Sequence, residues 1–249
     1  YFQPVIKTEE GPDGRLRIAG ISAEALIRWN HPEKGMISPN KFIPLSEETG
    51  IIVLLGNWIM YKVADMISFW KEKHGITVPV SINVSSLQFH EGNLVDFLSR
   101  IINSRRVDPN LVRLEITETS LMEDPGEALY KMLQLKEKGI KICIDDFGTG
   151  YSSFNYLRQF NIDILKIDKS FIDNVFHSSC DQAIVKAIVA MSGELGFDVI
   201  VEGVEDLNQF NFLYKEGCRN FQGYLFSKPL PPEKFIEFYN NNINKNIFS

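Results

Sequence analysis

Cysteine is scarce and scattered in this chain. Cys143, Cys180 and Cys218 stand far apart with no CxxC spacing, which excludes a disulfide framework and fits a reducing compartment. The four histidines, His31, His74, His90 and His177, form neither HExxH nor HxH, so zinc chemistry drops out. No run of 18 or more apolar residues occurs, which argues against a membrane span. The opening YFQPVIKTEE has no basic cap before an apolar stretch, so no signal peptide is visible. A cytoplasmic domain is expected, with any membrane anchor left to a full-length protein. Positive charge is also short: 32 acidic against 26 basic residues leave a net −6. Such a balance argues against DNA binding, which draws on a basic surface, and a small anionic ligand would need local neutralisation.

What is present is an ordinary globular composition, 44% apolar and 23% charged over 249 residues, the size of one barrel or two small domains. Short β-branched runs (near 2–6, 18–29, 80–83, 112–117, 140–145, 164–167, 198–201 and 220–224) alternate with helical patterns (51–73, 94–104, 126–138, 182–196, 207–216 and 233–240). Alternation of this kind implies crossover connections and parallel pairing. About eight such strands in about 250 residues is the size of a closed β/α barrel. KTEEGPDGR joins the first two strands like a hairpin, so that pair is expected to be antiparallel. Residues 1–240 read as a single barrel domain, and 241–249 as a polar, frayed tail.

The strand ends carry polar groups: AEALIRW, VSINVS, RLEITE, CIDDFGTG, LKID, VIVEGVE and FQGY. In a β/α barrel these ends meet at one face, where such enzymes place their chemistry. Residues two apart on a strand share a face, which pairs Ser81 with Asn83, Glu115 with Thr117 and Lys166 with Asp168; Asp146 reaches the centre beside Asp145 only if the chain turns there. Taken singly, Glu24 serves equally as a salt-bridge partner, Asn83 as a strand-end cap and Lys166 as a neutraliser of one acid. The joint case is stronger. Glu24, Glu115, Asp145, Asp146 and Glu202 would share one mouth, and two like charges about 4 Å apart cost about 4 kcal/mol at an effective dielectric of about 20. One lysine does not offset five carboxylates, whereas two hard, oxygen-preferring cations such as Mg²⁺ or Mn²⁺ do. DFG at 146–148 lacks the other kinase motifs, GTGYSS is not GxGxxG, and no GxxxxGK[ST] occurs. A glycosidase carboxylate pair remains an alternative.

EALIRWNHPEKGMISPNKFIPLSEETG, DDFGTGYSSFNYLR, LKIDKSFI and QGYLFSKPLP, in that order, resemble the EAL domain family of cyclic di-GMP phosphodiesterases, named for the tripeptide seen here as Glu24-Ala25-Leu26. The resemblance runs from residue 1 to residue 235. It implies a modified TIM-type (β/α)8 barrel with an antiparallel first strand, and hydrolysis of cyclic di-GMP to linear 5′-pGpG with two Mg²⁺ or Mn²⁺ ions. By resemblance, Glu24, Asn83, Glu115 and Asp145 match the ligands of the first metal, while Asp145 with Asp146 and Glu202 hold the second. Glu202, Lys166 and Glu24 form the catalytic group, with Lys166 contacting the attacking water and Asp168 behind it. Gln3, Leu26, Arg28, Asp168 and Gln222 match substrate contacts, and Glu118 and Glu205 match acids that position the DDFGTG loop. Two departures stand out: the loop before Glu24 is long, and GVED replaces the usual threonine after GVE. The resemblance further implies a homodimer formed around the DDFGTG loop, and an N-terminal regulatory or cyclase domain missing from this chain. A family member that binds cyclic di-GMP as a sensor without cutting it is the alternative.

Overall fold

The structure, a computed structural model, describes residues 1–91, 93–148 and 158–247. The fold is of the α/β class. The strands β1 (Phe2–Glu10), β10 (Asn220–Gln222), β9 (Asp198–Val201), β8 (Ile164–Ile167), β7 (Lys141–Phe147), β6 (Val112–Thr117), β5 (Val80–Asn83) and β2 (Leu16–Ala25) follow one another in that order and close as a barrel, and β1 runs antiparallel to β10, as the family resemblance implies. Two compact units make up the chain: Tyr1 with residues 25–142, and residues 2–24 with 143–249.

In the first unit β5 (Val80–Asn83) and β6 (Val112–Thr117) pair in parallel, with Val80 opposite Val112 and Asn83 opposite Glu115. Around them lie α1 (Pro39–Glu48), α2 (Ile51–His74), α3 (Ser86–His90), α4 (Leu94–Ser104), α5 (Glu118–Glu123) and α6 (Pro125–Glu137). α2 is long and apolar enough, by length and composition, to cross a membrane. One face nevertheless buries Ile52, Gly56, Met60, Val63, Ala64, Ile67 and Trp70, the i, i+4, i+7 pattern of a packed amphipathic helix. α1 and the small hairpin β3 (Trp29–His31) with β4 (Gly35–Ile37) correct the reading of one strand over 18–29: β2 is Leu16–Ala25. The clue was WNHPEKG, whose Pro and Gly favour a turn.

The second unit is a ladder of β1 (Phe2–Glu10), β10 (Asn220–Gln222), β9 (Asp198–Val201), β8 (Ile164–Ile167) and β7 (Lys141–Phe147). β10, β9, β8 and β7 pair in parallel, and Val5, Cys143, Ile164 and Ile200 form a buried cluster beneath the strand ends. Crossover helices include α7 (Lys169–Asp173), α8 (Ser179–Leu195) and α9 (Leu207–Lys215), and α10 (Pro232–Asn242) follows β10. β1 extends four residues beyond Ile6, so the connection to β2 shrinks to a turn in which Gly11 N donates to Arg15 O at 2.8 Å and Gly14 takes φ +73°. The described part of the segment expected to fray makes backbone hydrogen bonds to β2. Asn244 N donates to Ile18 O, Ile18 N to Lys245 O, and Ile247 N to Leu16 O, all at 2.9 Å. Backbone groups at the start of β2 need partners, and the asparagine-rich segment supplies them.

Candidate active site

The β8 side chain Lys166 is 1% exposed, and a buried ammonium survives only among acceptors. Its Nζ lies 2.6 Å from Glu202 Oε1, 3.2 Å from Asp145 Oδ1 and 3.5 Å from Glu24 Oε2. The ladder explains the meeting. Lys166 stands opposite Ile200 on β9, Glu202 follows Val201 at the end of β9, and Glu202 N donates to Ile167 O at 3.1 Å. Asp145 comes from β7 and Glu24 from the end of β2. Gln222, at the end of β10, donates from Nε2 to Glu24 Oε2 at 2.6 Å, and its buried Oε1 has no hydrogen-bond partner among the described residues.

Three carboxylates around one ammonium leave an excess of negative charge in a desolvated place. Burial, together with the charges of Asp145 and Glu24, pushes the Glu202 carboxyl up to about 7 despite the opposing pull of Lys166. Asp146 is also raised, first by burial and then by Asp145, Asp168 and Glu24. Adjacent residues on a regular strand face opposite ways, and β7 departs from regularity here. Its register against β8 shifts between Ile144 and Phe147, Asp146 adopts φ +54°, and Asp146 N donates to Asp145 Oδ1 at 3.1 Å. The register shift and the left-handed aspartate break the strict alternation at the DD pair.

The other expected residues of this unit make local contacts in this structure. Asp168 caps α7, its Oδ1 accepting from Ser170 N at 3.0 Å. Glu205 is exposed and pairs with Lys169 Nζ at 2.5 Å, while its backbone N–H is held by Gln209 Oε1 at 2.7 Å. Gln3 is half-buried on β1. The part of the DDFGTG motif from Thr149 onward, and with it the expected dimer contact and the partner segment of Glu118 and Glu205, lies outside the described residues.

In the first unit Asn83 and the buried Glu115 face each other across β5 and β6, and Val84 N donates to Glu115 O at 2.9 Å. Glu118 is buried at the start of α5, behind the Thr117 cap. Arg28 donates from Nη1 to Ile27 O at 2.8 Å and places its guanidinium 5.6 Å from the centre of the Tyr1 ring. Leu26 is tied to Tyr1 through two backbone bonds: its N–H donates to Tyr1 O, and its carbonyl accepts from the amino terminus at 3.0 Å. A cavity of about 260 Å³ opens beside them, lined among others by Leu26, Arg28, Asn83, Gly56, Gln88 and Thr117. Gln88 and Gly56 escaped the sequence reading; the signal was a glycine inside a long helical pattern.

Could these groups hold divalent cations? Among the described residues, no three acidic, imidazole or thiol side chains stand together at ligating spacing; the ammonium of Lys166 lies between the carboxylates instead. The donor chemistry nonetheless suits hard cations. Every expected ligand offers oxygen, and Glu202 is raised first by burial and then by the carboxylates of Asp145 and Glu24 around Lys166.

Comparison with known proteins follows the same line. The EAL domain family model matches residues 1–229. Over 236 residues the chain is 38% identical to the bifunctional diguanylate cyclase/cyclic di-GMP phosphodiesterase MucR of Pseudomonas aeruginosa, covering 95% of this chain and 33% of that protein. It is 37% identical to the cyclic di-GMP phosphodiesterase PdeR of Escherichia coli over 239 residues, 96% of this chain and 35% of PdeR. The chain thus spans about a third of the length of these relatives. Among solved structures, the PaMucR phosphodiesterase in complex with c-di-GMP matches with a TM-score of 0.87 at 38% identity, over 94% of this chain and 92% of that one. The EAL domain of Mycobacterium smegmatis DcpA matches with a TM-score of 0.80 at 28% identity, over 98% of both chains.

Proposed function

The chain belongs to the EAL domain family, and from that premise we propose that it hydrolyses cyclic di-GMP to linear 5′-pGpG, with two Mg²⁺ or Mn²⁺ ions bound. The observation that carries the proposal is the convergence of Glu24, Asp145 and Glu202 on Lys166. Glu24, Asp145, Asp146 and Glu202 are the oxygen donors that would hold cations, and Asn83 with Glu115 offers a further adjacent pair. Bound there, the cations would polarise a phosphate oxygen and make water a stronger nucleophile near neutral pH.

The chain's own groups do the rest. Glu202, which follows the last residue of β9, is placed beside Lys166 to accept a proton from water. Lys166 holds that carboxylate at 2.6 Å and supplies a fixed positive charge for the transition state. Water oxygen bonds to phosphorus as the bond to the ribose 3′-oxygen breaks; Glu202 takes the proton that water gives up, and the departing oxygen takes one from solvent. Gln222 fixes the Glu24 carboxylate. Arg28, with further guanidinium N–H groups beyond the one given to Ile27, suits a two-pronged phosphate contact.

The test is direct. Incubated with cyclic di-GMP and Mn²⁺ or Mg²⁺, the purified chain should release pGpG, and chelation by EDTA should stop it. Nucleotide that is bound but stays intact would favour the sensor reading, and sugar hydrolysis surviving EDTA would favour a glycosidase.

A further inference from the structure

We infer that Gln88 and Lys131 are positioning residues: Gln88 holds the short helix α3 at its middle and Lys131 holds its C-terminal end, and together they fix Asn83 and the cavity wall beside it. The inference deepens the proposed function, because Asn83 is one of the oxygen donors named there.

α3 has five residues. Helix nucleation is costly, and a single turn has no stability of its own in water, so its placement must come from outside. Asn83 ends β5, and only Val84 and the capping Ser85 separate it from α3; Ser85 Oγ accepts from Gln88 N at 3.3 Å. Whatever holds α3 therefore holds the chain leaving Asn83.

One clamp is Gln88. Its side chain is 2% exposed and crosses to α2, where Nε2 donates to Asn57 Oδ1 at 3.0 Å and lies 3.8 Å from Met60 Sδ. The slot exists because residue 56 is glycine: a Cβ built there would stand 2.1 Å from Gln88 Oε1 and 2.6 Å from its Cδ. Glycine in a helix interior is unfavourable by about 1 kcal/mol relative to alanine. Gly56, in the middle of the 24-residue α2, thus gives up helix propensity for room to seat a carboxamide.

The other clamp is Lys131 on α6, 6% exposed. Its Nζ donates to Phe89 O at 2.5 Å, to Glu91 O at 3.1 Å and to Glu127 Oε1 at 3.1 Å. Three acceptors meet the three N–H groups of an ammonium, which makes its burial tolerable. Two of those acceptors are carbonyls at the C-terminal end of α3. The cavity of about 260 Å³ has Asn83, Val84, Ser85, Gln88 and Gly56 in its wall, so loosening either clamp moves the surface that carries Asn83.

The experiment is a double-mutant cycle on the full chain, read in two ways. Gly56→Ala and Gln88→Ala should each speed amide hydrogen exchange at Val84, whose N–H bonds Glu115 O, by about five- to tenfold, the equivalent of one lost hydrogen bond. Amides inside β4 and α6 should not change. Gly56→Ala acts by evicting Gln88, so the double variant should match Gln88→Ala alone rather than multiply the two effects. Lys131→Met, at the C-terminal end of α3, should loosen the same amide. The second reading is Mn²⁺ affinity by electron paramagnetic resonance without nucleotide, which should weaken about tenfold in the same variants while melting temperature moves little. Unchanged exchange at Val84, additive effects in the double variant, or wild-type Mn²⁺ affinity in all of them would overturn the inference. A wild-type chain that neither cleaves cyclic di-GMP nor binds Mn²⁺ would defeat the proposed function instead, and the exchange cycle alone would then decide the clamp.

Discussion

Gln222 Nε2 stands 2.6 Å from Glu24 Oε2, joining residues 198 apart in sequence. Gln222 is expected as a substrate contact; in this structure one of its two amide N–H groups orients a carboxylate. Hydrogen bonds to charged groups contribute about 1.5–3 kcal/mol. Gln222→Leu should therefore cut cyclic di-GMP turnover by about ten- to a hundredfold, mainly in kcat. A steady-state assay with unchanged kcat would show that Glu24 does not depend on the amide.

Lys166→Met removes the positive charge among Glu24, Asp145 and Glu202. Turnover should fall by at least about a thousandfold, the upper range for loss of one well-placed charged or proton-transferring group. Mn²⁺ affinity should hold or rise, because the ammonium no longer competes for the same carboxylates. Calorimetric titration separates the two effects, and a variant that loses Mn²⁺ binding together with activity would contradict the assignment of Lys166.

Gly223 is packed against backbone: a Cβ there would lie 2.0 Å from Val204 O and 2.4 Å from Val204 N. Those backbone groups bond to the residues around it, Val204 N to Gln222 O at 3.1 Å and Leu225 N to Val204 O at 3.0 Å. Backbone cannot swing aside as a side chain can. Gly223→Ala should destabilise the chain by about 1–3 kcal/mol or more, read as a lower urea midpoint, and should depress activity by shifting Gln222.

How much of this was written in the sequence? The parallel ladder and the acids at its ends were legible, because β-branched runs alternate with helices and each run stops on a polar residue. The DD pair was legible as a problem, and β7 meets it with a register shift and a left-handed Asp146. Other features depend on distant partners that local patterns do not show. The tail from Asn244 to Ile247 reads as frayed until the start of β2 offers it hydrogen bonds. Nothing in the helical pattern over 126–138 singles out Lys131, yet it is buried, with the carbonyls of Phe89 and Glu91 meeting its ammonium. The pairing of Glu205 with Lys169 likewise joins two segments that lie 36 residues apart.

The cysteines offer a check on the packing independent of any activity. Burial pushes the Cys218 thiol up to about 12, so at pH 8 only about one part in ten thousand is thiolate, the reactive form. Cys143 is buried as well, and Cys180 is exposed. Iodoacetamide at pH 8 should modify Cys180 alone in the native chain and all three cysteines in urea. Fast native labelling of Cys218 would mean that the packing around α9 and β10 is wrong.

The central claim is that the acids around Lys166 are a seat for divalent cations. A Mn²⁺ titration of the nucleotide-free chain, followed by electron paramagnetic resonance, tests it without reliance on turnover. Two ions per chain, with loss of binding in Glu24→Ala and in Asp145→Ala, is the predicted result. A wild-type chain that takes up no Mn²⁺ at millimolar concentration, or one that binds it equally well after both substitutions, would contradict the account.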